Sequence, residues 1–165
     1  MRLKHKIAIV VGAGQSPGEG LGNGRATVLR FAQEGAKVLA VDNNLSSAEE
    51  TVAMARRSGG ECFAFEADVA DETTLAAMVE AARQRWGRVD ILHYNVGVGM
   101  AGGDAPLNQI TELAFDRIAT INLRGAIMAC KHVLPLMREQ RAGVIITISS
   151  VAAWEQYPNV AYKAH

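Results

Sequence analysis

Five short runs of apolar, β-favouring residues recur along this chain, each followed by a longer stretch at helical spacing. That alternation restricts the possible folds more than any other feature. "KIAIVVG" (6–12), "AKVLAVD" (36–42), "ECFAFEAD" (61–68), "VDILHYN" (89–95) and "GVIITIS" (143–149) read as strands. Helical patterns fill the gaps over 24–35, up to Arg57 from a cap at Ser46 or Ser47, over 71–87 and over about 112–140. In the first of these Ala26, Leu29, Phe31 and Ala32 form the apolar face and Gly35 is the stop. The last is interrupted at Asn122 and Gly125 and carries Pro135 near its end. Strands alternating with helices require crossover connections, so the expected fold is α/β, a doubly wound parallel sheet between two helical layers.

The 165 residues suit one domain with a real core, spanning 1–165, and are too few for two. Lys plus Arg equals Asp plus Glu at 17 each, which leaves no basic footprint for nucleic acid or an anionic membrane. Cys62 and Cys130 make no disulfide framework or metal spacing and read as buried thiols. The apolar run Ile7–Val11 is too short for a signal peptide, and no later run approaches membrane-spanning length. The expected setting is soluble, reducing and cytoplasmic.

Between the first strand and its helix stands "VVGAGQSPGEGLGNGRA". Glycines are needed there where the chain turns tightly, where backbone approaches phosphate oxygens and where helix meets sheet, and free amides at the helix start then face the anion. Gly12, Gly22 and Gly24 suit those positions, with Gly14 helping the turn and Asn23 inside the motif. Following a strand and opening a helix, the loop reads as a Rossmann-type dinucleotide site. Asp42, closing the second strand, can accept both ribose hydroxyls of an adenosine and would repel a 2′-phosphate. With no Arg or Lys beside it or in the loop, NAD is favoured over NADP; the plainer reading is an acidic strand cap. Asp68 can meet the adenine amino group, whereas Asp71 looks like a helix cap.

Taken with "HYNVG" (93–97), "INLRG" (121–125), "ISS" (148–150) and Tyr162, these residues resemble the short-chain dehydrogenase/reductase family along essentially the whole chain. The family's TGxxxGxG has Val11 in place of Thr, and Gly12 to Gly22 is ten residues instead of four, so 15–20 reads as an insertion. Its NNAG becomes "YNVG", with Asn95 and Gly97 matching and Tyr94 replacing the first Asn. Asp68-Val69 matches the adenine-side Asp-Val pair. The resemblance implies a catalytic set of Asn122, Ser150 and Tyr162, with Ser149 the runner-up serine. It also implies an alcohol or carbonyl substrate and a homo-oligomer pairing through the long helix and the Tyr-bearing helix.

The family's lysine follows its tyrosine by four positions, and position 166 lies past the last residue, His165. Lys163 cannot substitute, because one residue on it points about 100° away on a helix. The lysine matters because a phenol alone is only about 0.1% ionised at pH 7. A nearby ammonium favours the phenolate, a serine hydroxyl can position the substrate oxygen, and the resemblance gives Asn122 a water and proton path behind the lysine. Each residue also has a plainer reading: Asn122 as a helix kink, Ser150 as a turn, Tyr162 as a packing aromatic. His93 reads as packed, and His132 has no assigned role. Trp154, Gln156, Tyr157, Val98 and Met100 can line a substrate pocket or pack loops. The expectation is a partial chain of an NAD-dependent oxidoreductase, inactive without the lysine; the alternative is a non-catalytic nucleotide-binding or interaction module.

Overall fold

The computed structural model describes residues 1–16, 18 and 20–164; Pro17 and Glu19, inside the 15–20 insertion, and His165 lie outside them. All five expected strands form, each trimmed at one or both ends: β1 (Ile7–Val11), β2 (Lys37–Asp42), β3 (Cys62–Glu66), β4 (Ile91–Tyr94) and β5 (Val144–Thr147). Every pairing is parallel and the order is β3-β2-β1-β4-β5. The chain therefore builds outward from β1 to β3, then returns to place β4 on the other flank of β1. That reversal opens a crevice at the carboxyl ends of β1 and β4, where open α/β sheets hold their ligands.

The helices are α1 (Asn23–Gln33), α2 (Leu45–Arg57), α3 (Glu72–Trp86), α4 (Glu112–Ala119), α5 (Gly125–Gln140) and the short α6 (Ala161–Ala164). On one face α1 and α2 bury Val28, Ala32, Val52 and Ala55 against Ala8, Val10, Val38 and Ala40. On the other, α3 and α5 bury Leu75, Met78, Val79 and Val133 against Ile9, Val11, Leu39 and Leu92. Two faces of each central strand are thus dry, which explains why β1 carries no polar residue.

Several local expectations are corrected. The cap of α2 is Asn44, whose side chain accepts from the Ser47 amide; Ser46 and Ser47 fall inside the helix. The buried stripe of α1 is Gly24, Arg25, Val28 and Ala32, with Ala26, Leu29 and Phe31 only half-buried. Small residues at Gly24 and Ala32 let this helix lie close on β1. Asp71 caps α3 as expected, accepting from the Thr73 amide. The long helical pattern is two helices joined by a π-turn over Thr120–Arg124, and the Gly125 amide reaches back to Thr120 O. Cys62 is buried and its thiol pushed up to about 11 by desolvation, but Cys130 is half-buried. Among the described residues no helix is long and apolar enough to cross a membrane, and no cluster of His, Cys, Asp and Glu suits a metal.

Candidate active site

The glycine loop gets its shape from steric necessity. Gly12 has φ +80°, and a Cβ there would lie 2.9 Å from Val96 Cγ2. A Cβ on Gly24 would overlap the Gly12 carbonyl oxygen, so glycine at 24 is what allows α1 to start against the end of β1. Gly14 packs its bare Cα on Asp42 and Ser47: its amide donates to Asp42 Oδ2 at 2.8 Å, and the Gln15 amide donates to Ser47 Oγ at 2.7 Å. Gly22 occupies the cap of α1, and its amide donates to the Gln15 side-chain oxygen at 2.7 Å. That oxygen is an internal acceptor at the positive end of the helix.

Asp42 also accepts from the Asn44 amide at 3.0 Å, so two backbone N–H groups fix its carboxylate at the crevice while leaving acceptor capacity outward. The nearest cation in sequence to the glycine loop, Arg25, is buried and committed. Its guanidinium donates to Thr51 Oγ1 at 2.8 Å, to Ser47 O at 3.1 Å and to Glu50 at 3.1 Å. Asp68 accepts from the Ala70 amide at 2.9 Å and is exposed, while Val69 is buried beside it. Asn95 sits at the mouth of β4, its amide group donating to Gly12 O at 3.3 Å, and so joins the two strands flanking the switch point.

On the other side of the crevice Asn122 lies inside the π-turn. Its Oδ1 accepts from Val98 N–H at 2.8 Å and its Nδ2 donates to Val98 O at 3.0 Å, a two-point clamp on the loop after β4. The kink is supported from below by Tyr94, whose buried hydroxyl donates to Ile121 O at 2.7 Å; burial raises the pKa of that phenol. A π-turn leaves carbonyls poorly served by the helix itself, and Tyr94 serves one of them. Ser150 Oγ accepts from the Ala152 amide at 3.2 Å, leaving its O–H free to donate. Tyr162 is the second residue of α6, and its hydroxyl has no hydrogen bond among the described residues. A methyl on Gly97 would lie 3.8 Å from Asn122 Oδ1 and 3.9 Å from Tyr162 Cε2, so that glycine stands between the two.

All of the residues singled out for cofactor binding or catalysis line one cleft of about 1230 Å³: Gly12, Gly14, Gly22, Asn23, Gly24, Asp42, Asp68, Val69, Asn95, Gly97, Asn122, Ser150 and Tyr162. Ser149 lines it too. So do Gln15 and Arg117, which the sequence did not single out, and Ser47, which it offered only as a helix cap; Arg117 is the one cation among the described lining residues, on α4 next to the π-turn. Of the suggested pocket residues, Val98 is in the cleft, Trp154 is 90% exposed and Met100 77% exposed, both outside it. Gln156 is also outside, and Tyr157 instead packs its ring 6.2 Å from that of Tyr162. Cys130 faces the cleft. His93 is buried edge-on to Phe31 at 6.1 Å, away from the site.

Residues 6–164 match the model of the short chain dehydrogenase family. The chain belongs to the short-chain dehydrogenase family. Within the family it is 37% identical over 148 residues to the Bacillus subtilis oxidoreductase YxbG, covering 90% of this chain and 51% of that one. It is 34% identical over 164 residues to the 7α-hydroxysteroid dehydrogenase of Escherichia coli, covering 99% and 60%. A 7α-hydroxysteroid dehydrogenase solved with NADH and 7-oxo-glycochenodeoxycholic acid superposes with a TM-score of 0.89 at 33% identity, over 99% of this chain and 60% of that one. The chain thus spans about half to three-fifths of the length of the family members it matches. The chain is also 34% identical over 152 residues to the levodione reductase of Leifsonia aquatica, so the relatives' own names range from a steroid to levodione.

Proposed function

We propose that this chain forms the NAD-binding and proton-transfer part of an oxidoreductase that interconverts an alcohol and a carbonyl compound. The observation that carries the reading is the single cleft: glycine amides and Asp42 at one end, Asn122, Ser150 and Tyr162 at the other. The residues present suit a dinucleotide. Gly12, Gly14 and Gly24 let the loop and the start of α1 pack tightly against the ends of β1, β2 and β4, which sets the helix N-terminus at the cleft where a pyrophosphate would bind, and a fixed carboxylate stands where an adenosine ribose would lie. NAD is favoured over NADP because no cation lines the Asp42 end among the described residues and Arg25 is spent on Thr51, Ser47 and Glu50.

The bound nicotinamide supplies the hydride acceptor or donor. The chain's own work is positioning and proton transfer. Ser150 O–H donates to the substrate oxygen while its lone pair holds the Ala152 amide. Tyr162 moves the proton at that oxygen, from a hydroxyl with no competing internal partner. Asn122 holds the loop that borders both. Residues 1–165 contain no lysine one helical turn beyond Tyr162, so a polypeptide of these residues alone binds dinucleotide without turning over an alcohol. The whole enzyme works as a homo-oligomer in the cytoplasm. The surface of α4 and α5, with Leu123 45% exposed and Ile127 52% exposed around a hollow of about 430 Å³, faces a second copy.

Fluorescence titration of the 165-residue chain with NADH tests the reading. Saturable binding with NADPH at least roughly tenfold weaker is expected, about 1.4 kcal/mol of discrimination. Equal affinity for the two would overturn the assignment to NAD. Saturable binding by a lysine-bearing extended chain that never oxidises a secondary alcohol would favour the non-catalytic nucleotide-binding module.

A further inference from the structure

Asp104 lies in the loop between β4 and α4, is only 8% exposed, and spends its carboxylate on backbone. Oδ1 accepts from Ala161 N–H at 2.9 Å and Oδ2 from Tyr162 N–H at 3.3 Å. Its own carbonyl accepts from Asn159 Nδ2 at 3.4 Å, and the neighbouring Ala105 carbonyl accepts from Val160 N–H at 3.2 Å. Two successive loop residues therefore hold four successive residues, 159 to 162, ending at the tyrosine. Burying a carboxylate is costly unless it is well bonded. A neutral Asn would avoid most of that cost but has a single acceptor oxygen, which cannot take both amides in this geometry.

The same loop touches the other end of the tyrosine. A methyl on Gly99 would lie 3.4 Å from Tyr162 Cγ and Cδ2, so the ring rests on the glycine backbone, and the Asp104 amide donates to Gly99 O at 3.2 Å. The loop is anchored in turn by Asn122 on Val98. We infer that Asp104 is the positioning residue of Tyr162: by gripping the first turn of α6 it seats the phenol against Gly97 and Gly99 and makes the loop after β4, Asn122 and the tyrosine one unit. This rests on the reading of Tyr162 as the proton-transfer residue. Asp104 touches no reacting atom; it acts through the backbone of 161 and 162.

The test compares Asp104→Ala and Asp104→Asn in the isotopically labelled 165-residue chain. Amide exchange at Ala161 and Tyr162, the ring-current shifts of the Gly97 and Gly99 signals, and NADH titration are read together. In Asp104→Ala exchange at 161 and 162 should quicken by roughly tenfold or more relative to β1, and the Gly99 signals should lose their ring-current shift. Asp104→Asn should fall between it and the wild type, with NADH affinity within about twofold in both. Faster exchange with unchanged Gly97 and Gly99 signals would mean a helix cap that does not position the ring, and would overturn the proposal. So would wild-type exchange in both variants. If Asp104→Ala fails to fold, Asp104→Asn decides alone, and wild-type Gly99 signals in it overturn the proposal. Wild-type chain that ignores NADH would sink the dinucleotide reading while leaving the seat of Tyr162 readable from the glycine signals.

Discussion

β1 and β5 lie in the same sheet with similar apolar sequences, yet their surroundings are opposite. Ile7–Val11 is buried at every residue, whereas Val144 is 54% exposed and Ile148, just past β5, 48% exposed. The β1 side, with β2, β3, α1 and α2, is enclosed by packed helices, and Gly12, Gly14 and Gly24 at its loop stand where an added Cβ would collide with neighbouring protein atoms. The β4–β5 side holds its candidate catalytic residues by hydrogen bonds between loops: Asn122 to Val98, Tyr94 to Ile121, Asp104 to 161 and 162. One region is specified by packing and the other by polar clamps. Substitutions at the packed positions of the first should therefore act on the whole fold, and substitutions in the clamps of the second should cost less stability and act most on the local geometry of the site.

The largest effect is expected from Gly24→Ala. The added methyl overlaps the Gly12 carbonyl, so α1 must shift off β1, at a cost of about 3 kcal/mol or more. Thermal unfolding should fall by roughly 10 °C, and an unchanged transition would break the claim that packing dictates this half. Next comes Asn122→Ala, which strands the Val98 N–H and C=O and should cost about 2–3 kcal/mol; Asn122→Asp keeps one of the two bonds and should cost less. The decisive readout is local, since exchange at Val98 should rise while β1 amides hold. Asp42→Ala should weaken NADH by about tenfold to a hundredfold and narrow the gap to NADPH, measured by the same titration as above.

Tyr94→Phe removes only the hydroxyl that serves Ile121 O, for about 1 kcal/mol in denaturant unfolding. The smallest effect is the pH response of His93. Burial lowers its pKa below the ordinary 6.5, so the folded state prefers the neutral ring. The unfolded chain then takes up the proton first. The contribution to stability is whole above about pH 6.5 and shrinks as pH falls toward the folded value. His93→Leu should flatten the urea midpoint between about pH 7.5 and 5.5; a wild-type slope in that variant would assign the dependence elsewhere.

The enclosed half was the more legible in the sequence, for a physical reason. Apolar periodicity and glycine spacing report burial and backbone approach, and those are the forces that shape β1, α1 and β2. The cap of α2 was misread because Asn44, Ser46 and Ser47 are all competent caps within four residues, and only tertiary docking of Ser47 on Gln15 and Arg25 selects among them. The π-turn was visible only as an interruption at Asn122 and Gly125; its partner contacts lie 24 residues away, at Val98. Asp104 gave no signal at all, since the amides it holds are 57 and 58 residues on. For Trp154 the sequence allows a pocket role or loop packing, and at 90% exposure it does neither among the described residues.

The π-turn has a further consequence for how this helix tolerates change in length. Thr120–Arg124 holds one residue more than a regular α-helix would need to join α4 to α5. Removing one residue there would restore the regular ladder, and because the wide turn already absorbs the surplus within itself, α5 would keep the same stripe toward the sheet. The change would be local: the shorter helix would be better bonded and more regular, and Asn122 would lose the widened backbone that aims it at Val98. A single surplus amino acid thus serves the site while α4 and α5 pack as a regular helix would.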